Sequence, residues 1–292
     1  MCGLIHQPLA SPAEIVFERT SPYHHIRVID RKGTRTLSFN GSTETQMSLA
    51  NPLQGHFEYT EYFQMPRLWN GLLTNVLMIG LGGGSTQRAY AHYFPHMKVE
   101  TVEIDPFVVQ VAKDFFQFKE SPRQRVQVSD GRLHLRRTEA RFGAILVDAY
   151  VQHRYGSSIP YHLATKEFFE LAASRLTTNG VLGYNVIGTM DGWRSELVGA
   201  LYNTMKTAFP QVYFFPAKES DNVVLIGTKS AERTDFNALN LRANGLIHAR
   251  LITLPTFRER LYSFRAQPPT HYHRRPVLSD DFAPIDGLLR TD

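Results

Sequence analysis

The chain has 292 residues, 42% hydrophobic and 20% charged, with a formal net charge of +5. That composition supports a sizeable core in one large or two modest domains and excludes a disordered chain. No apolar run reaches the roughly 18–20 residues that cross a bilayer, which excludes a spanning helix.

The first residues, Met1-Cys2-Gly3-Leu4-Ile5-His6-Gln7, lack the basic and apolar regions of a signal peptide. Cys2 is the single cysteine, so neither an internal disulfide nor a thiolate metal cluster is expected, and a cytoplasmic location is. Short apolar runs containing Ile26, Val28, Leu37 and Phe39 are separated by Arg31-Lys32-Gly33 and Asn40-Gly41. The pattern predicts a small antiparallel sheet over 13–45 with tight turns. A short helix is expected over 58–63, ending before Pro66, and residues 1–70 are read as a β-rich N-terminal domain.

From residue 75 the pattern alternates between buried strands and helices. Val76-Leu77-Met78-Ile79 is continuously apolar, as a parallel strand covered on both faces requires. Gly80-Leu81-Gly82-Gly83-Gly84 follows, and Ser85 is expected to cap a helix running to Tyr93. Further strands are expected at 99–104, 126–128, 144–147 and 181–186, with Pro106 in the first turn of a helix. A helix over 165–176 is expected to stop at Asn179-Gly180, and 212–215 with 223–227 to form a closing hairpin. Residues 71–292 thus read as an open, doubly wound α/β domain.

Ligands of such sheets bind outside the carboxyl ends of the strands. The first four strands of this domain end near Gly80, Glu103, Asp130 and Asp148, which brings three carboxylates and a glycine loop to one edge. The loop approximates a dinucleotide fingerprint, with Ser85 in place of the third glycine. Glu103, 19 residues beyond Gly84, lies where an acid accepts hydrogen bonds from ribose hydroxyls. Nicotinamide and adenosyl-methionine binders share that feature, and charge separates them. A pyrophosphate disfavours further carboxylates beside the loop, whereas a sulfonium nucleotide brings a fixed positive charge that they attract. The acid-rich rim therefore favours a sulfonium nucleotide, with Asp130 toward the adenine and Asp148 toward the sulfonium.

These residues resemble the spermidine synthase (polyamine aminopropyltransferase) family over about 23–188, together with a tail similar to a divergent branch of it. The loop 80–84 lies where that family has Gly-Gly-Gly-Asp-Gly-Gly; Val102-Glu103-Ile104-Asp105 resembles its nucleotide-binding segment, Ser129-Asp130-Gly131 its adenine-side Asp-Gly, and Asp148 its catalytic Asp. Tyr59-Thr60-Glu61 resembles the family's Tyr-His-Glu, Tyr23-His24 its Tyr-Gln, and Gln46 its nucleotide-contacting Gln. Leu278-Ser279-Asp280-Asp281-Phe282-Ala283-Pro284 carries the likeness to the branch. The resemblance implies a Rossmann-like methyltransferase core behind a small N-terminal strand domain, and a homodimer. It also implies decarboxylated S-adenosylmethionine, or S-adenosylmethionine, as co-substrate. Gly80, Gly82, Gly84, Glu103, Asp130, Gly131 and Gln46 would bind the nucleotide, and Asp148 and Tyr59 would be catalytic.

Aminopropyl transfer is an attack by an amine on the carbon beside a sulfonium. The acceptor's pKa is near ~10, so a carboxylate assisted by a tyrosine must orient and deprotonate it. Two acids that the family uses toward the polyamine are changed: one position is Gly83 and the other, in Asp148-Ala149-Tyr150-Val151, is Val151. Each lost charge-assisted contact is worth roughly 1.5–3 kcal/mol, which puts activity on putrescine in question and leaves Glu61, Asp191 or Glu219 as replacements. A methyltransferase and a non-catalytic nucleotide-binding protein are the rival readings.

Other motifs read more plainly. Adjacent His24 and His25 on a strand point to opposite faces, and no metal is expected. His271-Tyr272-His273 has no acidic or cysteine partner assigned and reads as a surface segment, and Ser157-Ser158 lacks a nucleophile elbow. Residues 150–160 read equally as a lid or an ordinary loop. Arg132, Arg136, Arg137 and Arg141 have helical spacing and read as a solvated face. With no zinc-finger, RRM or KH signature despite a pI near 9.3, the expected partner is a small-molecule amine acceptor, with no nucleic acid and no membrane.

Overall fold

Two tight turns fold the start of the chain onto itself. Lys32-Gly33 and Asn40-Gly41 both hold positive φ (49° and 76°, 49° and 96°), as primed hairpin turns require. They join β2 (His25–Arg31), β3 (Thr34–Phe39) and β4 (Ser42–Ser48), and β1 (Glu14–Thr20) completes an antiparallel sheet in the order β1-β2-β3-β4. The computed structural model describes residues 12–153 and 156–288, so Cys2 and the N-terminal segment lie outside the described residues.

After α1 (Tyr59–Tyr62) a 3-10 turn at Met65–Leu68 takes Pro66 into its first positions, so helical structure passes the expected stop. The alternating elements follow: β5 (Asn75–Ile79), α2 (Ser85–Tyr93), β6 (Lys98–Glu103), α3 (Pro106–Phe115), β7 (Gln124–Val128), α4 (Gly131–Arg137) and β8 (Phe142–Val147). A small hairpin, β9 (Val151–His153) with β10 (Gly156–Ser158), occupies the span read as lid or loop. Then come α5 (Lys166–Arg175), β11 (Leu176–Ile187), α6 (Ser195–Met205), β12 (Gln211–Pro216), β13 (Asn222–Thr228), α7 (Phe236–His248), α8 (Phe257–Leu261) and α9 (Ile285–Leu288).

The large sheet has the order β12-β13-β11-β8-β5-β6-β7, parallel from β11 to β7, with the expected β12–β13 hairpin antiparallel at one side. The chain steps outward from β5 to β7 and then returns to β5's other side with β8. That reversal opens a crevice between the ends of β5 and β8. Both faces are covered: Leu77 and Ile79 pack with Phe168, Phe169 and Leu201, while Val76 and Met78 pack with Tyr62, Tyr90 and Leu239. The N-terminal sheet closes over the same end, because Ile26, Val28, Leu37 and Met47 pack on Val108, Val111 and Phe116 of α3 and its end. Tyr59, Tyr62, Phe63, Met65 and Leu68 join the core of the large sheet.

Three local expectations are corrected. Ser85 is the first residue of α2, and Gly84 takes the N-cap position at φ 74° with no side-chain cap. The helix ends at Arg175 rather than at Asn179-Gly180, because Leu176 turns extended, buries its side chain and pairs with Phe142. The strand then runs through Asn179-Gly180 with a register break before Val181. Arg132 is not part of a solvated face: it is buried and holds Asp280 through two bonds at 2.7 and 2.6 Å. Thr165 Oγ1 also donates to Asp280 (2.7 Å), so the tail straps the N-terminus of α4 to that of α5. His271-Tyr272-His273 stays at the surface, with Tyr272 half-buried edge-on against Tyr202.

Candidate active site

The crevice at the strand ends is a pocket whose lining includes Tyr59, Gly80, Gly82, Glu103, Asp130, Gly131 and Asp148. Among the sequence-expected nucleotide residues, Gly84 and Gln46 lie outside that lining. Gly80 must be glycine: its φ is 100°, and a Cβ there would overlap the carbonyl oxygen of Asp148. Absence of a side chain thus lets the β5 loop lie against the end of β8, where Asp148 N–H donates to the Ile79 carbonyl at 2.9 Å.

Glu103 is buried, and burial raises its pKa above the ordinary carboxylate value. Leu81 N–H and Asp105 N–H each donate to one of its oxygens at 2.9 Å, which fixes the carboxylate between the glycine loop and the start of α3. Carboxylate oxygens retain further lone pairs for a ligand's hydroxyls. Asp130 caps α4 by accepting from Leu133 N–H at 2.8 Å, and its other oxygen meets His162 Nε2 at 2.8 Å. The hydrogen bond from His162 is the main cause of its lowered pKa. His162 also lines the pocket. Only the fold brings it to Asp130 from 32 residues away.

Asp148 is held at both oxygens. Asn185 Nδ2 donates to Oδ1 at 2.9 Å and the Tyr59 hydroxyl to Oδ2 at 3.3 Å. Asn222 Nδ2 in turn donates to Asn185 Oδ1 at 3.2 Å, so a relay of amides from β13 and β11 sets the carboxylate's angle. Burial raises Asp148 to about 6, with Asn185 and Tyr59 pulling the other way. Tyr59, also buried, is pushed above its ordinary value by burial and by the charge of Asp148.

Glu44 is a further acid of the pocket that the sequence pattern did not point to. In the β3–β4 ladder Leu37 pairs with Thr45 and Ser38 with Thr43, so Glu44 is an extra residue, a bulge. Bulges re-aim side chains, and the pocket wall receives Glu44 and Thr45 from this strand rather than Gln46. Gln46 is half-buried opposite Thr36. Burial and then the Asp148 charge raise Glu44 to about 7, against the opposing bond that the Ser157 hydroxyl donates at 3.4 Å. That bond ties the β9–β10 hairpin to the pocket. Of the acids considered as replacements, Glu61 binds His56 and Arg260 beside a neighbouring cleft that Glu219 also lines, and Asp191 is exposed on a loop.

The position where the resembling family has a loop acid is Gly83, and here it is packed under the N-terminal sheet. Its N–H donates to Thr45 Oγ1 at 2.9 Å, and a Cβ would stand 2.6 Å from Thr45 Cγ2 and 2.9 Å from Phe116 Cδ1. Arg88 donates to the Gly83 carbonyl and, at 2.7 Å, to that of Phe116, fixing the loop from the other side. Gly83→Ala should therefore lower stability by about 1–3 kcal/mol through overpacking, read as a fall in melting temperature. An unchanged melting temperature would show that Thr45 and Phe116 yield without strain. At the second altered position, Val151 lines the pocket and offers it no charge.

Several polar atoms in the lining are buried without a hydrogen-bond partner: His24 Nδ1, Gln87 Oε1 and the Tyr150 hydroxyl. Buried polar groups are ordinarily paired, so these point to a ligand with complementary donors and acceptors. His24 stacks on Phe39 at 4.2 Å, and His25 faces the other way, 2.9 Å from Glu18. Among the described residues no three metal-ligating side chains converge, and no helix is long and apolar enough to cross a membrane.

An open α/β sheet with a glycine loop and acids at its strand ends is an architecture of the methyltransferase-like class. A sequence model of the spermine/spermidine synthase domain matches residues 57–218, and the chain belongs to that family. It is 31% identical over 235 residues to a polyamine aminopropyltransferase from Vibrio vulnificus, covering 77% of this chain and 76% of that one. It is 32% identical over 174 residues to an eEF1A lysine and N-terminal methyltransferase from Xenopus laevis, covering 58% of this chain but only 24% of that relative. A probable spermidine synthase from Corynebacterium glutamicum shares the fold at a TM-score of 0.65 and 18% identity, over 92% of this chain and 94% of that one. A spermidine synthase in complex with the transition-state analogue AdoDATO shares it at a TM-score of 0.60 and 19% identity, over 85% and 87% of the two chains.

Proposed function

We propose that this chain transfers an aminopropyl group from decarboxylated S-adenosylmethionine to a small-molecule amine. One observation carries the reading: the pocket is lined by Glu44, Glu103, Asp130 and Asp148 and, among the described residues, by no Lys or Arg. Decarboxylated S-adenosylmethionine presents a sulfonium and an ammonium and no carboxylate. Intact S-adenosylmethionine adds a carboxylate that would meet acids of its own sign and, among the described residues, no Lys or Arg.

In the reaction the amine nitrogen attacks the methylene beside the sulfonium. The carbon–sulfur bond breaks, methylthioadenosine leaves with the electron pair, and the nitrogen loses one proton. Asp148, angled by Asn185 and bonded to Tyr59, orients the acceptor and takes that proton. Gly80, Gly82 and Gly84 shape the loop, Glu103 takes the ribose hydroxyls, and Asp130 with Gly131 lies toward the adenine. Glu44 supplies the negative charge toward the ammonium that Gly83 and Val151 do not.

Calorimetric titration of each nucleotide into the protein tests this charge preference. Decarboxylated S-adenosylmethionine should bind at least about tenfold tighter than S-adenosylmethionine, the scale of one charge-assisted contact. Equal affinities, or a preference for the carboxylated form, would count against it. The second reading is a methyltransferase, favoured by the similarity to the eEF1A methyltransferase and by the two altered acids. A homodimer and a cytoplasmic location complete the proposal, supported by the family resemblance and by a chain with one cysteine.

A further inference from the structure

A second cleft, of about 640 Å³, opens at the other end of the large sheet. The strand-start segment at Gly180 and Val181, which lies beside the beginning of β8, forms one wall, so the cleft is a sheet's length from Asp148. The 3-10 turn after α1 supplies Arg67 and the residue capping it Trp69, the end of β13 supplies Thr228 with Lys229 just beyond it, and α7 supplies Arg242. Glu232 is the one acid among these lining residues.

The cations here lack acidic partners. Arg67 is only 5% exposed; its guanidinium lies over the Phe94 ring (4.6 Å), interacts with Tyr90 and donates to the Leu73 carbonyl at 3.5 Å. Its Nε has no partner, and burial lowers its pKa. Lys229 reaches the carbonyls of Ala173 and Leu176 at 3.4 and 3.5 Å, and Arg242 that of Leu68 at 3.5 Å. Among the described residues none of the three takes part in an ion pair. Two further donors are buried without partners, Trp69 Nε1 and Thr228 Oγ1.

Unpaired buried charges and donors destabilise a fold unless something completes them. Here three buried donors, Arg67 Nε, Trp69 Nε1 and Thr228 Oγ1, have no partner, and two exposed cations that donate to backbone carbonyls, Lys229 and Arg242, line the same cleft. We propose that this cleft binds a small molecule through an oxyanion group, a phosphate or a carboxylate. Guanidinium forks suit both groups geometrically, and a lysine beside them adds a point charge. The assignment does not depend on what the pocket at Asp148 binds.

Trp69 is one of two tryptophans in the chain, so Trp193→Phe leaves it as the sole indole reporter. The full chain carrying that change is titrated with inorganic phosphate and, separately, with malonate, at ionic strength held constant with chloride. A saturable change in Trp69 emission with one of them is expected, accompanied by a rise in melting temperature. Saturation with phosphate alone assigns a phosphate group, and saturation with malonate alone a carboxylate. Lys229→Ala and Arg242→Ala change exposed side chains and should each weaken binding about tenfold while leaving the anion-free melting temperature unchanged. The proposal is overturned if neither anion gives a saturable response, or if both variants bind as the parent does.

Discussion

Asp148→Asn should lower turnover about 10²–10⁴-fold, the usual contribution of a positioned general base, while nucleotide affinity stays near that of the parent. The substitution preserves shape. An asparagine oxygen still accepts from Asn185 Nδ2 at the same place, and the Tyr59 hydroxyl remains alongside. What disappears is the negative charge and the lone pair to which the proposed reaction assigns the acceptor's orientation and its proton. Steady-state rates with saturating amine separate this from binding, and calorimetry with the nucleotide gives the control. Retention of more than a tenth of the rate would remove Asp148 from the chemistry. A collapse of nucleotide affinity with unchanged turnover would make it a binding residue instead.

Glu44→Gln should weaken binding of the doubly cationic nucleotide by about 10–100-fold, the loss of one charge-assisted contact. Its pH signature is as informative as its size. In the ligand-free protein burial holds Glu44 near 7 and Asp148 near 6, both above their ordinary values of 4.5 and 3.8. Because the folded values are the higher ones, protonation favours the folded state. The stability this contributes is complete below about pH 4 and is lost as pH rises through 6 and 7. A cationic ligand reverses the balance, since it prefers both acids ionised. Affinity for decarboxylated S-adenosylmethionine should therefore climb between pH 5 and 8, with proton release on binding. Glu44→Gln should remove the upper part of that climb. An unchanged pH profile in the variant would show that Glu44 does not face the ligand.

The parts of this site that could be read from sequence are those governed by local rules. A glycine or an acid that follows a short apolar run falls at a strand end, which is why Gly80, Glu103, Asp130 and Asp148 were found. The turns at Lys32-Gly33 and Asn40-Gly41 were equally plain. Glu44 was hidden because a bulge reverses the alternation that places side chains on a strand, and nothing in Thr43-Glu44-Thr45 announces one. Asn185 and Asn222 lie within strands that face one another only after β13 inserts beside β11, so their relay to Asp148 belongs to tertiary structure. The same holds for Arg132, whose helical spacing suggested solvent until Asp280 arrived from 148 residues away. Asn179-Gly180 has the composition of a helix stop, but burial of Leu176 ends the helix sooner.

Gly83 is both a position of altered charge and a packing contact of the N-terminal sheet. A glycine there looked like the loss of a polyamine contact, and the packing of Thr45 and Phe116 shows the position closed to any side chain without rearrangement. Glu44, one residue from Thr45, stands in the same pocket as Asp148. On the proposed function, the site meets a dication with acids at the strand ends and one more, Glu44, from the N-terminal sheet.

The most direct test is the identity of the nucleoside product. The protein is incubated with decarboxylated S-adenosylmethionine and, in parallel, with S-adenosylmethionine, each against putrescine, cadaverine, agmatine and spermidine, and the products are separated by chromatography and mass. Methylthioadenosine, formed with at least one amine and from the decarboxylated donor only, is the predicted result. S-adenosylhomocysteine from the intact donor, with no methylthioadenosine from any pairing, would contradict it.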